Sequence, residues 1–322
     1  MRIEGERFFV TGGLGFIGRH LVRALVGNGA SVVVFDRAGR SPEVLRALLE
    51  SGRVTVLHGD LRTSDLRSAM DGCAAVVHLA ANADVRDGEA RPGEMFRDNV
   101  LATARLLDGM AAAKVARFAL ASTSTIYGET AVTPTTEDHA SLAPISIYGA
   151  SKLAAEGLVH GFAAAHACTA AIWRLANVVG PDGHGVVNDI VRKLRADPRE
   201  LEIFGREPGT RKSYIHVDDA IDGMLQAWAA VPEGVGTFNV GSEDAITVKE
   251  VADEVCRGLS LSGVQYRWTG GVDGGGWRGD MRTMQLAVEK LRATGWRPRH
   301  GSAEAVFHVA KALADAPDPS AA

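Results

Sequence analysis

Arg7-Phe-Phe-Val-Thr-Gly-Gly-Leu-Gly-Phe-Ile-Gly18 sets Gly12, Gly15 and Gly18 at three-residue spacing behind a short apolar run. The run reads as a strand and the residues from Phe16 as a helix, so the glycines fall in a strand-to-helix turn. Gly12 allows a tight reversal, Gly15 removes a side chain where a pyrophosphate must approach, and Gly18 lets the helix lie close to the strand. The amides of Phe16, Ile17 and the residues after them then face the phosphates. Glycine turns of this kind are common, and the surroundings carry the rest of the reading.

Outward from the turn, short apolar runs recur at Phe8 to Thr11, Ser31 to Phe35, Val54 to Leu57, Ala75 to Leu79, Arg117 to Ser122 and Ala170 to Trp173. Between them, helical periodicity marks Phe16 to Asn28, Pro42 to Glu50, Asp65 to Met70, Met95 to Ala113 and Tyr148 to His166. Ser41 before Pro42 suits a helix start. The alternation predicts an α/β protein, a Rossmann-like doubly wound parallel sheet with helices on both faces. After about residue 177 the rhythm changes: a helix over Asn188 to Arg195, a strand over Glu202 to Phe204, a further main-sheet strand over Thr237 to Val240 and a helix over Thr247 to Gly258 are expected. A dinucleotide-binding domain over 1–177 plus about 213–243 and a smaller mixed α/β substrate domain over about 178–212 and 244–311 follow, with a fraying tail over 312–322.

Asp36 ends the second strand about twenty residues beyond the turn. A carboxylate there accepts hydrogen bonds from ribose hydroxyls and repels a 2'-phosphate, which selects NAD over NADP. Arg37 leaves a second reading open, an exposed turn aspartate beside a solvated arginine. Asp60-Leu61 after the third strand and Leu79-Ala80-Ala81 after the fourth complete a series of candidate cofactor contacts at successive strand ends.

The formal net charge of -4 gives no basic excess for phosphate backbones or anionic lipid, so neither nucleic acid nor membrane is expected as a partner. Cys73, Cys168 and Cys256, odd in number and far apart, match neither a disulfide framework nor a metal site. No apolar run is long enough to span a bilayer, and the first strand starts within ten residues of Met1. A cytoplasmic protein without a leader is the expectation.

Ser146-Ile-Tyr148-Gly-Ala-Ser-Lys152 places a phenol and an ammonium four residues apart on one helix face. Tyrosine titrates near ~10, so service as a base near neutrality needs about 4 kcal/mol of electrostatic help, which Lys152 and a positive nicotinamide could supply. With TGGLGFIG, Asp36, Asp60-Leu61, HLAA, Asn99-Val100, Ser122 to Gly128, Arg174 to Asn177 with Gly180-Pro181, and Lys212 to Asp219, the chain resembles the extended short-chain dehydrogenase/reductase family. The likeness is to its NAD-dependent nucleotide-sugar epimerases and dehydratases and covers about residues 6 to 310.

That resemblance implies NAD as cofactor, Asn99 among its contacts, Tyr148 and Lys152 as catalytic residues, and Thr123 as the hydroxyl that assists the tyrosine. Sugar 4,6-dehydratases of the family carry an acidic pair at the next two positions, and UDP-glucuronate decarboxylases a glutamate at the second. Here these are Ser124 and Thr125, which points to a UDP-sugar 4-epimerase. By the same resemblance Asn177 and Arg278 hold the diphosphate with Arg211 or Lys212, and Phe204 lies against the uracil ring or in the core. The run Gly185 to Leu194, which includes Val187, resembles UDP-glucose and UDP-glucuronate 4-epimerases. Arg192 either meets a C6 carboxylate, which favours UDP-glucuronic acid, or points to solvent. Gly274 to Gly276 is a loop hinge or a long turn. The helices Met95 to Ala113 and Tyr148 to His166 are those with which the family forms a homodimer, although core packing explains their alanines equally well.

Overall fold

Phe8 and Val10 pack into one apolar cluster and Phe9 into another, so successive side chains of the first strand serve opposite faces of a sheet buried on both sides. That is why its strands read as continuous apolar runs. A computed structural model describes residues 2–272 and 275–315. In chain order the strands are β1 (Arg7–Thr11), β2 (Ser31–Asp36), β3 (Val54–His58), β4 (Ala75–His78), β5 (Arg117–Thr123), β6 (Thr169–Leu175), β7 (Asn177–Val179), β8 (Glu200–Phe204), β9 (Arg211–Lys212), β10 (Tyr214–His216), β11 (Val235–Val240), β12 (Ile246–Thr247), β13 (Gln265–Thr269) and β14 (Thr283–Met284). The α-helices are α1 (Phe16–Gly27), α2 (Arg46–Glu50), α3 (Leu66–Ala69), α4 (Val85–Ala90), α5 (Pro92–Phe96), α6 (Ala102–Ala113), α7 (Ile147–His166), α8 (Val186–Ala196), α9 (Val217–Ala229), α10 (Val248–Gly258), α11 (Glu289–Arg292) and α12 (Ser302–Asp315).

The seven-stranded main sheet runs β3-β2-β1-β4-β5-β6-β11, all parallel. Strand order reverses between β1 and β4, which opens a crevice at their carboxyl ends. One face is covered by α1 and α9, with Leu21, Leu25, Met224 and Trp228, and the other by α6 and α7, with Leu106, Met110 and Val159. A third apolar cluster joins α8, α10, α12 and β8 through residues such as Leu194, Leu201, Val255 and Val306.

The main-sheet strands and the Rossmann-like order agree with the sequence reading. Local differences have identifiable causes. The stretch Met95 to Ala113 is not one helix: α5, a π-helical turn over Arg97–Leu101 and α6 follow one another. The wide turn brings Asn99 Nδ2 to Ser151 Oγ of α7 at 2.9 Å and to Asn82 O at 2.9 Å, contacts a regular helix does not set up. Pro42 to Glu50 divides into a 3-10 turn and α2, capped as expected by Ser41, whose Oγ accepts from Glu43 N at 3.2 Å. Ala312 does not begin the tail, because α12 runs on to Asp315 with Val306, Val309 and Ala310 buried on its inner side. The tail beyond it, and Gly274 of the supposed hinge, lie outside the described residues.

Candidate active site

The turn after β1 is shaped by steric exclusion. Gly12 has φ +71°, and a Cβ on it would stand 2.7 Å from Ala80 N, at the end of β4. A Cβ on Gly18 would stand 2.1 Å from Gly12 O. With no side chain at either position, α1 starts directly against β1 and β4. Gly15, its N-cap, offers no side-chain acceptor to the first-turn amides, so they are left for an anion.

A cavity of about 500 Å³ opens from this turn along the strand ends. Gly12, Gly15, Phe16, Ile17, Gly18, Asp36, Arg37, Asp60, Leu61, Leu79, Ala80, Ala81, Tyr148 and Lys152 all line it. Asp36 is 9% exposed, with Oδ2 accepting from Leu14 N at 3.0 Å and Oδ1 from Arg37 N at 2.9 Å. It is therefore part of the turn, and the alternative of a solvated aspartate falls. Arg37 turns to Asp98, 3.7 Å away. Asp60 accepts from Arg62 through both carboxylate oxygens, Nε to Oδ1 at 2.9 Å and Nη2 to Oδ2 at 2.6 Å. Those bonds hold its carboxyl below the usual range.

Asn99 does not line the cavity. It is buried, and its side chain is spent on Asn82 N at 2.8 Å, Asn82 O and Ser151, so it acts on the site only through what it braces. The sequence reading missed Leu14, Arg40, Arg62 and Ser122 on the cavity wall and the segment Asp182 to His184 facing the glycine turn. Arg19 Nη2 donates to Asp182 O at 2.6 Å, and Phe16 sits edge-on to His184 with ring centres 6.4 Å apart. No local spacing signals these contacts, because the partners lie more than 160 residues apart.

At the far end of the cavity stand Tyr148 and Lys152, in the first two turns of α7, capped by Ser146 Oγ accepting from Gly149 N at 3.1 Å. Thr123 ends β5, and its hydrogen bond to the phenol lowers the Tyr148 pKa. Burial is the larger effect and pushes the phenol up to about 12. Burial also pushes Lys152 down to about 8, with Glu156 opposing. Both shifts run against the phenolate-ammonium pair that the sequence reading requires, so the protein groups alone do not acidify the phenol.

On the substrate side, Ser124 is buried and Thr125 half-buried, with Thr125 Oγ1 3.1 Å from Thr123 Oγ1. Asn177 Nδ2 donates to Ser213 O at 2.9 Å. Val187 is 1% exposed, packed in the third cluster, so its side chain is core and the substrate-contact reading of it fails. Phe204 is 54% exposed with Lys193 Nζ 5.0 Å above its ring, which removes the core alternative. Lys212 is ion-paired to Asp280, a partner the sequence reading did not consider, while Arg211 and Arg278 are exposed. Arg192 has a side chain 71% exposed, paired to Asp189 at 3.2 Å.

The pattern of the NAD dependent epimerase/dehydratase family matches residues 8–241. A UDP-glucose 4-epimerase of Halalkalibacterium halodurans is 30% identical over 323 residues, 94% of this chain and 93% of its own. A UDP-glucuronic acid decarboxylase 2 of Arabidopsis thaliana is 30% identical over 266 residues, 79% of this chain and 57% of its own. Among solved structures, a UDP-galactose 4-epimerase superposes with a TM-score of 0.84 at 37% identity, covering 96% of this chain and 98% of that one. MoeE5 in complex with UDP-glucuronic acid and NAD gives 0.82 at 30% identity, covering 94% of this chain and 96% of that one.

Gly18→Ala forces α1 away from the Gly12 carbonyl. Affinity for an adenine dinucleotide, measured by fluorescence titration, is expected to fall at least tenfold, about 1.4 kcal/mol.

Proposed function

Because this chain belongs to the NAD dependent epimerase/dehydratase family, we propose that it interconverts UDP-sugars epimeric at C4 through a transient 4-keto sugar. The observation that carries this reading is that Tyr148 and Lys152 line the cavity that opens from the glycine turn, with Thr123 hydrogen-bonded to the phenol and hydroxyls, not acids, at 124 and 125. The residues present fit NAD: the uncapped α1 amides suit its pyrophosphate and Asp36 its adenosine ribose. When bound, NAD supplies the hydride acceptor and a positive charge close to the phenol.

In this reading Tyr148, held as the phenolate by Lys152, takes the proton of the sugar 4-hydroxyl with Thr123 bridging and becomes the neutral phenol. The 4-keto sugar turns in the pocket and presents the opposite face of C4 to the returning hydride, while Tyr148 returns the proton to the C4 oxygen. Elimination of water from C5 and C6 requires an acid and a base beside the sugar, and neither Ser124 nor Thr125 serves as one. Tyr148→Phe is expected to lower kcat about 10²–10⁴-fold. Nuclear magnetic resonance of the product decides the reaction: inverted C4 with C6 retained is expected, and loss of C6 as CO2 makes the enzyme a decarboxylase instead.

We further place UDP-glucuronic acid ahead of UDP-glucose as substrate. Arg192 supports this, since its pairing with exposed Asp189 is worth little and yields readily to a C6 carboxylate. MoeE5, similar in fold, is found in complex with UDP-glucuronic acid and in complex with UDP-glucose, so both sugars belong in the assay. Arg192→Ala is expected to raise KM for UDP-glucuronic acid about tenfold, ~1.4 kcal/mol, with no change for UDP-glucose. Equal steady-state parameters for wild type and variant on UDP-glucuronic acid remove the carboxylate role.

The proposed partner is a second copy of the chain, joined through α6 and α7. Leu101 and Phe96 are exposed at the junction with α6, and added Cβ atoms on Gly157 and Gly161 of α7 meet nothing within 4 Å. Leu101→Glu is expected to shift the sedimentation coefficient from dimer to monomer. Among the described residues no helix is long and apolar enough to cross a membrane.

A further inference from the structure

One turn beyond Lys152 on the same face of α7 stands Glu156, buried like the lysine at 3% exposure. Its Oε1 accepts from Ser122 Oγ at 2.5 Å, and Ser122 lines the dinucleotide cavity. From β6, Arg174 grips both carboxylate oxygens, Nε to Oε1 at 3.2 Å and Nη2 to Oε2 at 2.8 Å. Arg174 Nη1 donates in turn to Tyr127 Oη at 2.9 Å, and Tyr127 Oη to Asn239 Oδ1 at 2.8 Å. The carboxylate is thus fixed from two strands, one helical turn from Lys152.

We propose that Glu156 is a positioning residue for proton transfer: its carboxylate keeps the shared proton on Lys152, so that Tyr148 is the group left as the base. This rests on the reading of Tyr148 and Lys152 as the proton-transfer pair. When the pair has lost one proton, phenolate with ammonium and phenol with amine carry the same total charge, and the field around them decides between the two. Burial alone favours the uncharged arrangement. A fixed anion on the amine's side opposes that preference, and with a cofactor's positive charge near the phenol it favours the ammonium.

The other groups around the lysine do not take this part. His78 of β4 is held neutral by burial and by Lys152 itself. Tyr127, in the 3-10 turn after β5, is pushed up to about 12 by burial. Glu137, in the loop beyond, is raised by its own burial and meets Arg174 through its backbone carbonyl at 2.9 Å. Arg174 carries the wrong sign. Glu156 is the charge that opposes the lysine's desolvation.

The test is the pH profile of kcat for wild-type holoenzyme, Glu156→Gln and Glu156→Asp. Removing the anion makes the ammonium a stronger acid, so both limbs of the Glu156→Gln profile are expected to move down by about one pH unit and the plateau to fall. Glu156→Asp keeps the charge, and its limbs are expected to stay at wild-type positions. A carboxylate that only ties α7 to β6 lowers the plateau without moving the limbs, and wild-type limbs in Glu156→Gln therefore overturn the proposal. If Glu156→Gln fails to fold because Arg174 is left unpaired, Glu156→Gln with Arg174→Gln removes both charges. A smaller shift in the same direction is then expected, and unmoved limbs overturn the proposal equally. Full turnover in Tyr148→Phe signals the separate failure of the proton-transfer pair itself.

Discussion

The contact between the Gly12 carbonyl and the bare α-carbon of Gly18 is the constraint from which the site follows. A methyl group there has 2.1 Å of room, so only glycine lets α1 begin flush against the ends of β1 and β4. That seating aims the helix amides into the crevice where strand order reverses, and it brings Leu14 N within 3.0 Å of the Asp36 carboxylate. Free helix amides and a carboxylate held at the strand end are therefore two results of one close approach. Segment Asp182 to His184 joins the arrangement because Arg19 and Phe16, on the same helix, reach across to it.

At the other end of the cavity the governing effect is loss of water. Burial raises the phenol and lowers the amine, and each change favours the uncharged form. A base is obtained there only by surrounding the pair with fixed charges and dipoles. The structure holds such a set in Thr123 on one side and Glu156 with Arg174 on the other. Its polar atoms are satisfied by Ser122, Tyr127 and Asn239, as a buried ionic group requires.

Much of this was legible in the chain itself. Strands buried on both faces write themselves as apolar runs, and glycines at fixed spacing or a Tyr and Lys one turn apart are local signals. What escaped reading depends on distance. Lys212 meets Asp280 across 68 residues. Glu156 gains its meaning from Ser122 and Arg174 on two different strands. The π-helical turn at Arg97–Leu101 has no compositional mark, since tertiary contacts of Asn99 determine where the helix widens. Helix α9 escapes the sequence reading because its first residues, Val217, Asp218 and Asp219, carry the resemblance to the family and mask the start of an amphipathic segment. Val187 was misplaced because membership in a motif says nothing about which way a side chain faces.

Asn99 bonds Ser151, and Ser151 Oγ bonds the backbone carbonyl of Tyr148 at 2.7 Å. The widened turn that carries Asn99 ends at Leu101, whose side chain is on the outside of the molecule. Surface and reaction centre are therefore separated by a short relay of bonded groups rather than by a compressible layer. A change that tilts that outer strip is passed on to the backbone of the tyrosine through those hydrogen bonds, with nothing soft between them to absorb it.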